Sequence, residues 1–382
     1  MVDPQTISFH LMLLNDADRM DKYRQAIFNT VHSGDIVLDI GTGSGVLALF
    51  ACQAGAKRVY AIDRGDIIVV ARELARANHF SDRIVFTRQD IRQFQIEGQV
   101  DVITSELIAK SVLGQNMAEL IGFCRDRFLK PGGKILPKHV QLKIAPVENE
   151  TNYLNSRPPV RSTYELDFGQ LEQISSNKPV SCRIPSGDLL TNGQIAYEYD
   201  ALTAANSDSF QTSLVFRPAR AGTLHGFVGW FSSVLSDGIE LNNRPPGTPS
   251  WDNLFFPLAK SIEVTPEITI ELDFRGRCDS QVQEFWIWNT TVSKREQVIA
   301  KQRQSSFAGR IVTAETLRKA SDNWTPLASD RTRIAQMTLA LMNQNMTIKD
   351  IAEALQQKFP GSFPTNETAV AEVRKIAEEF GN

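Results

Sequence analysis

The sequence predicts an α/β domain built on a parallel sheet, then an antiparallel β-barrel or sandwich, then a C-terminal helical segment. Three observations lead there. Residues 35–137 alternate short apolar strands with helical runs, and that order builds a parallel sheet with right-handed crossovers. From about Lys138 to Val312 the texture changes to short alternating runs, such as Val140-Gln141-Leu142-Lys143-Ile144 and Gln283-Glu284-Phe285-Trp286-Ile287-Trp288. Turn-rich stretches such as Asn242-Asn243-Arg244-Pro245-Pro246-Gly247 separate them, which is the pattern of antiparallel strands. The last 55 or so residues return to helical spacing. The expected domains are 1–137, 138–312 and 313–382.

Residues 5–32 read as helical, with Leu11, Met12, Leu14, Tyr23, Ala26 and Ile27 at helical spacing. The strand Ile36–Ile40 then runs into Gly41-Thr42-Gly43-Ser44-Gly45 and the helical run Val46–Ala54. A strand, a tight glycine turn and a helix N-terminus form a cradle for a nucleotide-like ligand. Glycines at every second position let the backbone approach that ligand without Cβ clashes. The spacing differs from G-x-G-x-x-G, so a dinucleotide pyrophosphate is not the expected occupant. Asp39 precedes the turn, where a carboxylate can hold an amine or polarise the loop. The strand Arg58–Ile62 runs into Asp63, 24 residues past Asp39, where a carboxylate can accept both hydroxyls of a ribose. The helix Ile67–Asn78, strands Ile84–Thr87 and Val100–Ser105, helix Asn116–Phe128 and strand Lys134–Leu136 complete the alternation. Asp39, Asp63, Asp90 and Glu106 all fall at carboxyl ends of strands, where such sheets bind ligands.

Composition narrows the class. The chain has 382 residues, 42% hydrophobic and 22% charged, ordinary for a soluble globular protein of two or three domains. A formal net charge of −3 argues against a nucleic-acid partner. Cys52, Cys124, Cys182 and Cys278 lie far apart and form no metal spacing, so no metal site is expected. Buried thiols fit a reducing cytoplasm. Met1-Val2-Asp3-Pro4 lacks the basic and apolar regions of a signal peptide, and no apolar run approaches the length of a membrane span.

Val37-Leu38-Asp39-Ile40-Gly41-Thr42-Gly43-Ser44-Gly45 resembles the first motif of class I methyltransferases that use S-adenosylmethionine, which carry a Rossmann-like domain. The longer run is similar to the protein arginine methyltransferases. It includes Ala54–Asp63, Asp101-Val102-Ile103-Thr104-Ser105-Glu106, Arg125–Gly133 and Leu136-Pro137. His10, Asp16, Arg19 and Tyr23 match that family's H-x-x-M-L-x-D-x-x-R-x-x-x-Y, with Met12 displaced by one position. The resemblance implies S-adenosylmethionine as cofactor, held by His10, Met12, Arg19, Asp39, Gly41, Gly43, Gly45, Asp63, Arg64, Asp90, Ile91 and Glu106. Arg19 would take its methionine carboxylate, which a planar guanidinium suits, or would be a solvated helix residue. Asp90, with Ile91, would lie near the adenine, or Asp90 would cap its loop. His10 would cover the cofactor or simply pack.

The substrate side departs from the family. Its loop carries two glutamates nine residues apart to neutralise a guanidinium; here Glu106 keeps the first and Gln115 replaces the second, with Lys110 added between them. The T-H-W loop maps to Pro249-Ser250-Trp251, so Trp251 survives without the histidine and is read as catalytic or as barrel packing. The nine residues before His10 hold no Y-F-x-x-Y segment. The resemblance implies methyl transfer to a nitrogen nucleophile, an arginine guanidinium first, on a peptide or protein. A non-arginine or small-molecule acceptor and an inactive cofactor-binding scaffold remain the alternatives. Segment 150–175 falls where the family carries a dimerisation arm, so a homodimer is possible. In the tail, Arg331–Asn343, Ile348–Phe359 and Asn366–Phe380 read as helices, with Thr347 and Asn366 as caps. Leu339–Phe359 resembles the helical half of small peptide-binding domains found with modified-peptide enzymes, so these helices either bind a peptide or partner or serve as a packing appendage.

Overall fold

The computed structural model describes residues 3–156, 166, 168–205, 207–279, 283–310, 313–319 and 321–381. It divides into two compact units, Met1–Arg310 and Ile311–Asn382. The first unit begins with α1 (Pro4–Asn15) and α2 (Ala17–Thr30), two helices where the periodicity predicts one. The break is Asp16, whose ψ of 89° leaves helical space and whose carboxylate accepts the Arg19 amide at 3.3 Å, capping α2.

Next come β1 (Ile36–Ile40), α3 (Val46–Gln53), β2 (Arg58–Asp63), α4 (Ile68–Ala77), β3 (Ile84–Arg88), β4 (Val100–Ser105), α5 (Met117–Phe128) and β5 (Leu129–Leu136). The five strands pair in parallel in the order β3-β2-β1-β4-β5. The last strand starts five residues before its expected start at Lys134. Pro131-Gly132-Gly133 reads as a turn, yet the segment is held beside β4 across a register shift between Val100 and Val102.

The chain continues with β6 (His139–Val147), α6 (Glu150–Ser156), α7 (Gly169–Ser175), β7 (Val180–Cys182), β8 (Gln194–Asp200), β9 (Ser209–Phe216), β10 (Gly222–Ser236) and β11 (Ile239–Asn242). It then adds β12 (Asn253–Val264), β13 (Ile268–Cys278), β14 (Glu284–Lys294) and β15 (Gln297–Gln302). All pair antiparallel, in one sheet ordered β7-β12-β10-β6-β8, with β11 on β10, and another ordered β15-β14-β13-β9. Phe256 of the first sheet meets Phe274 of the second edge to face at 5.1 Å, with Trp286 and Trp288 around them. Glutamine side chains stitch the sheet edges: Gln194 Nε2 donates to Val215 O, and Gln302 Nε2 donates to Lys260 O. Of the segment read as a dimerisation arm, residues 157–165 and 167 lie outside the described residues. Apolar burial does not stop at Pro137: one hydrophobic cluster runs from Val37 and Ile103 through Val112 and Leu113 to Phe274 and Trp288.

The second unit holds α8 (Ala314–Lys319), α9 (Asp330–Met342), α10 (Ile348–Lys358) and α11 (Asn366–Phe380). The last three share a small core of Ile334, Ile351, Leu355, Phe363, Val373 and Ile376. Thr347 caps α10 as expected, but Thr365 rather than Asn366 caps α11, accepting from Thr368 N at 3.3 Å. Asn366 is already inside the helix, one residue past the extended backbone that a cap requires. Among the described residues no helix is long and apolar enough to cross a membrane, and no His/Cys/Asp/Glu cluster could hold a metal.

The glycine turn is locked from below by Asp39, which is fully buried. Thr42 Oγ1 donates to its Oδ2 at 2.5 Å and Thr104 Oγ1 donates to its Oδ1 at 2.9 Å. One carboxylate therefore ties β1, the turn and β4 together. Burial pushes its carboxyl up to about 6, with the two hydroxyls opposing that rise. The folded state therefore holds this proton to a higher pH than the unfolded chain does. Stability falls as pH rises from about 4 through 6, by up to about 3 kcal/mol for a shift near 2 units. Asp39→Asn cannot ionise, so its stability relative to wild type should rise over that window and then level off. Urea unfolding across pH 4–8 measures this, and parallel curves for the two proteins would contradict it.

Candidate active site at the sheet switch point

The strand order reverses between β1 and β4. One run of chain builds outward through β2 and β3, the other through β5. Ligands of open α/β sheets bind in the crevice at this switch point. Here the crevice is a cavity of about 380 Å³, within the range of small-molecule sites. His10, Arg19, Gly41, Gly43, Asp63, Arg64, Asp90, Ile91, Glu106 and Gln115 all line it.

The floor is the glycine turn. Gly41 and Gly43 have φ of 65° and 54°, left-handed values that favour glycine. A Cβ on Gly43 would sit 2.6 Å from the His10 ring, so that glycine lets α1 close over the turn. Asp63 ends β2 and braces the turn, accepting Gly43 N at 2.8 Å and Gly65 N at 2.7 Å. Each oxygen keeps a lone pair for a ligand hydroxyl. Asp90 both lines the cavity and caps the short helical turn Ile91–Gln93, accepting from Arg92 N at 2.9 Å. Arg64, largely exposed, approaches Asp90 at 3.9 Å.

Arg19 is 4% exposed. Its Nη1 donates to Leu13 O at 3.0 Å and its Nη2 pairs with Glu106 Oε2 at 2.5 Å. Its Nε is buried without a hydrogen-bond partner, as is the neighbouring Ser105 hydroxyl. The resemblance sends Arg19 to a cofactor and Glu106 to an acceptor, and here the two are joined to each other. Burial pushes the Glu106 carboxyl up, opposed by Arg19. Burial likewise pushes the Tyr23 phenol up and the His10 imidazole down.

Four candidates lie outside the lining. Met12 is 41% exposed, while Leu13 and Leu14 take the inner face. They follow His10 by three and four residues, which is the same side of a helix. Asp39 acts beneath the turn, as described. Gly45, with φ 82°, serves packing: a Cβ there would lie 3.1 Å from the Ala71 Cβ. Trp251 is buried; its Nε1 donates to Ile108 O at 3.1 Å and its ring lies 5.4 Å from the Arg19 guanidinium carbon. Ser250 reaches this cluster through its backbone, its amide donating to Asp16 Oδ2 at 3.2 Å. Lys110 does not line the cavity. Sequence reasoning left out Gln89, Arg92, Asn116 and Leu120, also in the lining. Arg92 carries a signal, since it follows the strand-end acid Asp90 and pairs with it at 3.2 Å.

A family model described as ribosomal protein L11 methyltransferase matches residues 23–136, and one described as PRMT5 oligomerisation domain matches residues 170–312. Zebrafish (Danio rerio) protein arginine N-methyltransferase 6 is 38% identical over 280 residues, 69% of this chain and 80% of that protein. The Arabidopsis thaliana relative named probable protein arginine N-methyltransferase 6 is 34% identical over 238 residues, 60% of this chain and 55% of its own length. This chain spans 55–65% of the length of the plant relatives it matches. Its fold resembles the Trypanosoma brucei PRMT1 enzyme–prozyme heterotetramer with AdoHcy, at a TM-score of 0.71 and 22% identity, covering 78% of this chain and 96% of that one. It also resembles Arabidopsis protein arginine methyltransferase 10, at 0.68 and 23%, covering 79% and 99%. The chain belongs to the protein arginine N-methyltransferase family.

Proposed function

We propose that this chain is an S-adenosylmethionine-dependent methyltransferase acting on an arginine guanidinium of a peptide or protein. The carrying observation is the meeting of Arg19, Asp63 and Glu106 at one cavity at the switch point. The residues fit the cofactor. Asp63 offers free lone pairs to a ribose, and Asp90 offers a carboxylate to the exocyclic amine of an adenine. Arg19 has a buried Nε–H that a carboxylate would satisfy. When bound, S-adenosylmethionine supplies an electrophilic sulfonium methyl group. Gly41 and Gly43 floor that site, and His10, Leu13 and Leu14 cover it.

Methyl transfer is an in-line displacement, so the chain must fix the acceptor nitrogen and exclude water. Glu106, at the end of β4, pairs with the cationic acceptor and orients it. Gln115 contributes a neutral acceptor oxygen. Residues 1–137 are proposed as the cofactor domain and 138–312 as the wall against which the acceptor lies. The match of residues 170–312 to an oligomerisation domain supports assembly into a dimer. The free cysteines support a reducing, cytoplasmic setting, and the C-terminal helices are proposed to bind a peptide or partner. Gln115 in place of a second carboxylate favours one other reading, a neutral acceptor.

Three variants test these roles. Asp63→Ala should weaken cofactor binding by about 1–3 kcal/mol in calorimetry; unchanged affinity would remove Asp63 from the site. Glu106→Gln should cut methyl transfer to arginine peptides by about a hundredfold and, because Arg19 loses its charged partner, should also lower stability. Full activity in that variant would hand the acceptor role to the neutral-acceptor reading. Gln115→Glu should raise kcat/KM on arginine peptides by several-fold, about 1 kcal/mol from one added charged hydrogen bond. A fall would mean that the loop no longer accommodates a second acid.

A further inference from the structure

The loop between β4 and α5, residues 106–116, carries both Glu106 and Gln115. It holds three non-glycine residues in the left-handed region: Val112 at φ 67°, Gln115 at 65° and Asn116 at 54°. A β-branched residue there is strained, and such strain persists only where surroundings over-determine it. The surroundings come from the antiparallel sheets. Trp251 donates Nε1–H to Ile108 O at 3.1 Å. Asp208 accepts Ala118 N at 3.2 Å and Glu119 N at 3.0 Å, satisfying the start of α5. Between these pins stands Glu284 on β14. Its Oε1 accepts the Ser111 hydroxyl at 2.6 Å and its Oε2 accepts Trp286 Nε1 at 3.2 Å. Ser111, fully buried, in turn accepts Gly114 N at 3.2 Å.

We propose that Glu284 is a positioning residue for the reaction: through Ser111 it holds the left-handed turn that presents Gln115 and Asn116 to the cavity. Three features carry this. Gly114 admits the contact because a Cβ there would come 2.9 Å from Glu284 Oε1 and 2.5 Å from the Ala109 Cβ. The anchor is rigid, since Trp286 is 2% exposed and stacks on Phe274 with ring centroids 5.5 Å apart. Leu113, fully buried, plugs the same surface, where a Cβ on Gly276 would meet it at 2.7 Å. A carboxylate on the second sheet therefore sets the geometry of the acceptor side without lining the cavity. This rests on the methyl-transfer reading for its consequence, though not for the contact itself.

The test uses the full chain and four variants: Glu284→Ala, Glu284→Gln, Ser111→Ala and the double alanine variant. Hydrogen exchange of the segment 109–116 reads the turn directly, with or without activity. Glu284→Ala should speed that exchange about tenfold, and the double variant should be no faster than either single one, as expected for one shared contact. Acceptor kcat/KM should fall about tenfold, with cofactor affinity within about twofold of wild type. Glu284→Gln keeps one acceptor oxygen and should lie between wild type and alanine. Unchanged exchange, additive effects in the double variant, or equal losses in the glutamine and alanine variants would each overturn the proposal. If Glu284→Ala does not fold, Glu284→Gln and Ser111→Ala decide the question by the same exchange readout. A wild-type chain that transfers no methyl group while showing the exchange pattern would overturn the methyl-transfer reading and leave the contact standing.

Discussion

The inner site depends on a buried guanidinium. Arg19 is taken almost wholly out of water, and a buried cation is tolerable only when paired and hydrogen-bonded. Glu106 supplies the charge, Leu13 O supplies a second acceptor, and the faces of Trp251 and Tyr23 lie 5.4 Å and 5.8 Å from its guanidinium carbon. Satisfying one residue thereby fixes α1, α2, the end of β4 and the 248–251 turn in relation to one another. The break at Asp16 belongs to the same requirement. It starts α2 afresh, so Arg19 enters the cavity from the first turn of a capped helix. Removing either member of the pair would strand a buried charge, typically costing about 3–5 kcal/mol. The Arg19 Nε is buried with no partner from the chain itself.

What could be read from the sequence depended on how local each cause was. The parallel sheet was legible because glycines and acids punctuate its strand ends, and Asp63, Asp90 and Glu106 fall there in the structure. The α1–α2 break was hidden because apolar spacing continues across Asp16, although an aspartate three residues before Arg19 is itself an N-cap signal. The register of α1 was recoverable: from His10, helical geometry selects Leu13 and Leu14, whereas matching a motif letter selected Met12. Thr365 and Asn366 are both capping residue types, and only the backbone angles separate them. The start of β5 at Leu129 was not legible because it is set by pairing with Val100, about 30 residues upstream, across a register shift.

The unreadable part was set by distance along the chain. Trp251 meets the loop carbonyl of a residue 143 positions earlier, and Glu284 meets Ser111 across 173. Nothing at either end marks such a contact. A tryptophan in a turn and a glutamate at the start of a strand look the same whether they face solvent or brace a loop. The cofactor side follows from residues close to the glycine turn and to the strand ends beside it. The side proposed to meet the acceptor is assembled from three remote segments, which is why the reading of it from sequence stayed open.

Charge within that assembled side still discriminates between acceptors. The buried cluster around Arg19 holds one guanidinium and two carboxylates, Glu106 and Asp16, the latter 3% exposed and accepting from Arg19 N and Ser250 N. Its side chains bring two carboxyl groups against one guanidinium, with Gln115 neutral. A guanidinium acceptor would complement this excess of carboxyl groups, to which the sulfonium of a bound cofactor would also be attracted. At an effective dielectric near 20, one charge pair at 4 Å is worth about 4 kcal/mol before desolvation is subtracted. One retained acid is therefore sufficient for one cation, and the glutamine is compatible with a guanidinium acceptor.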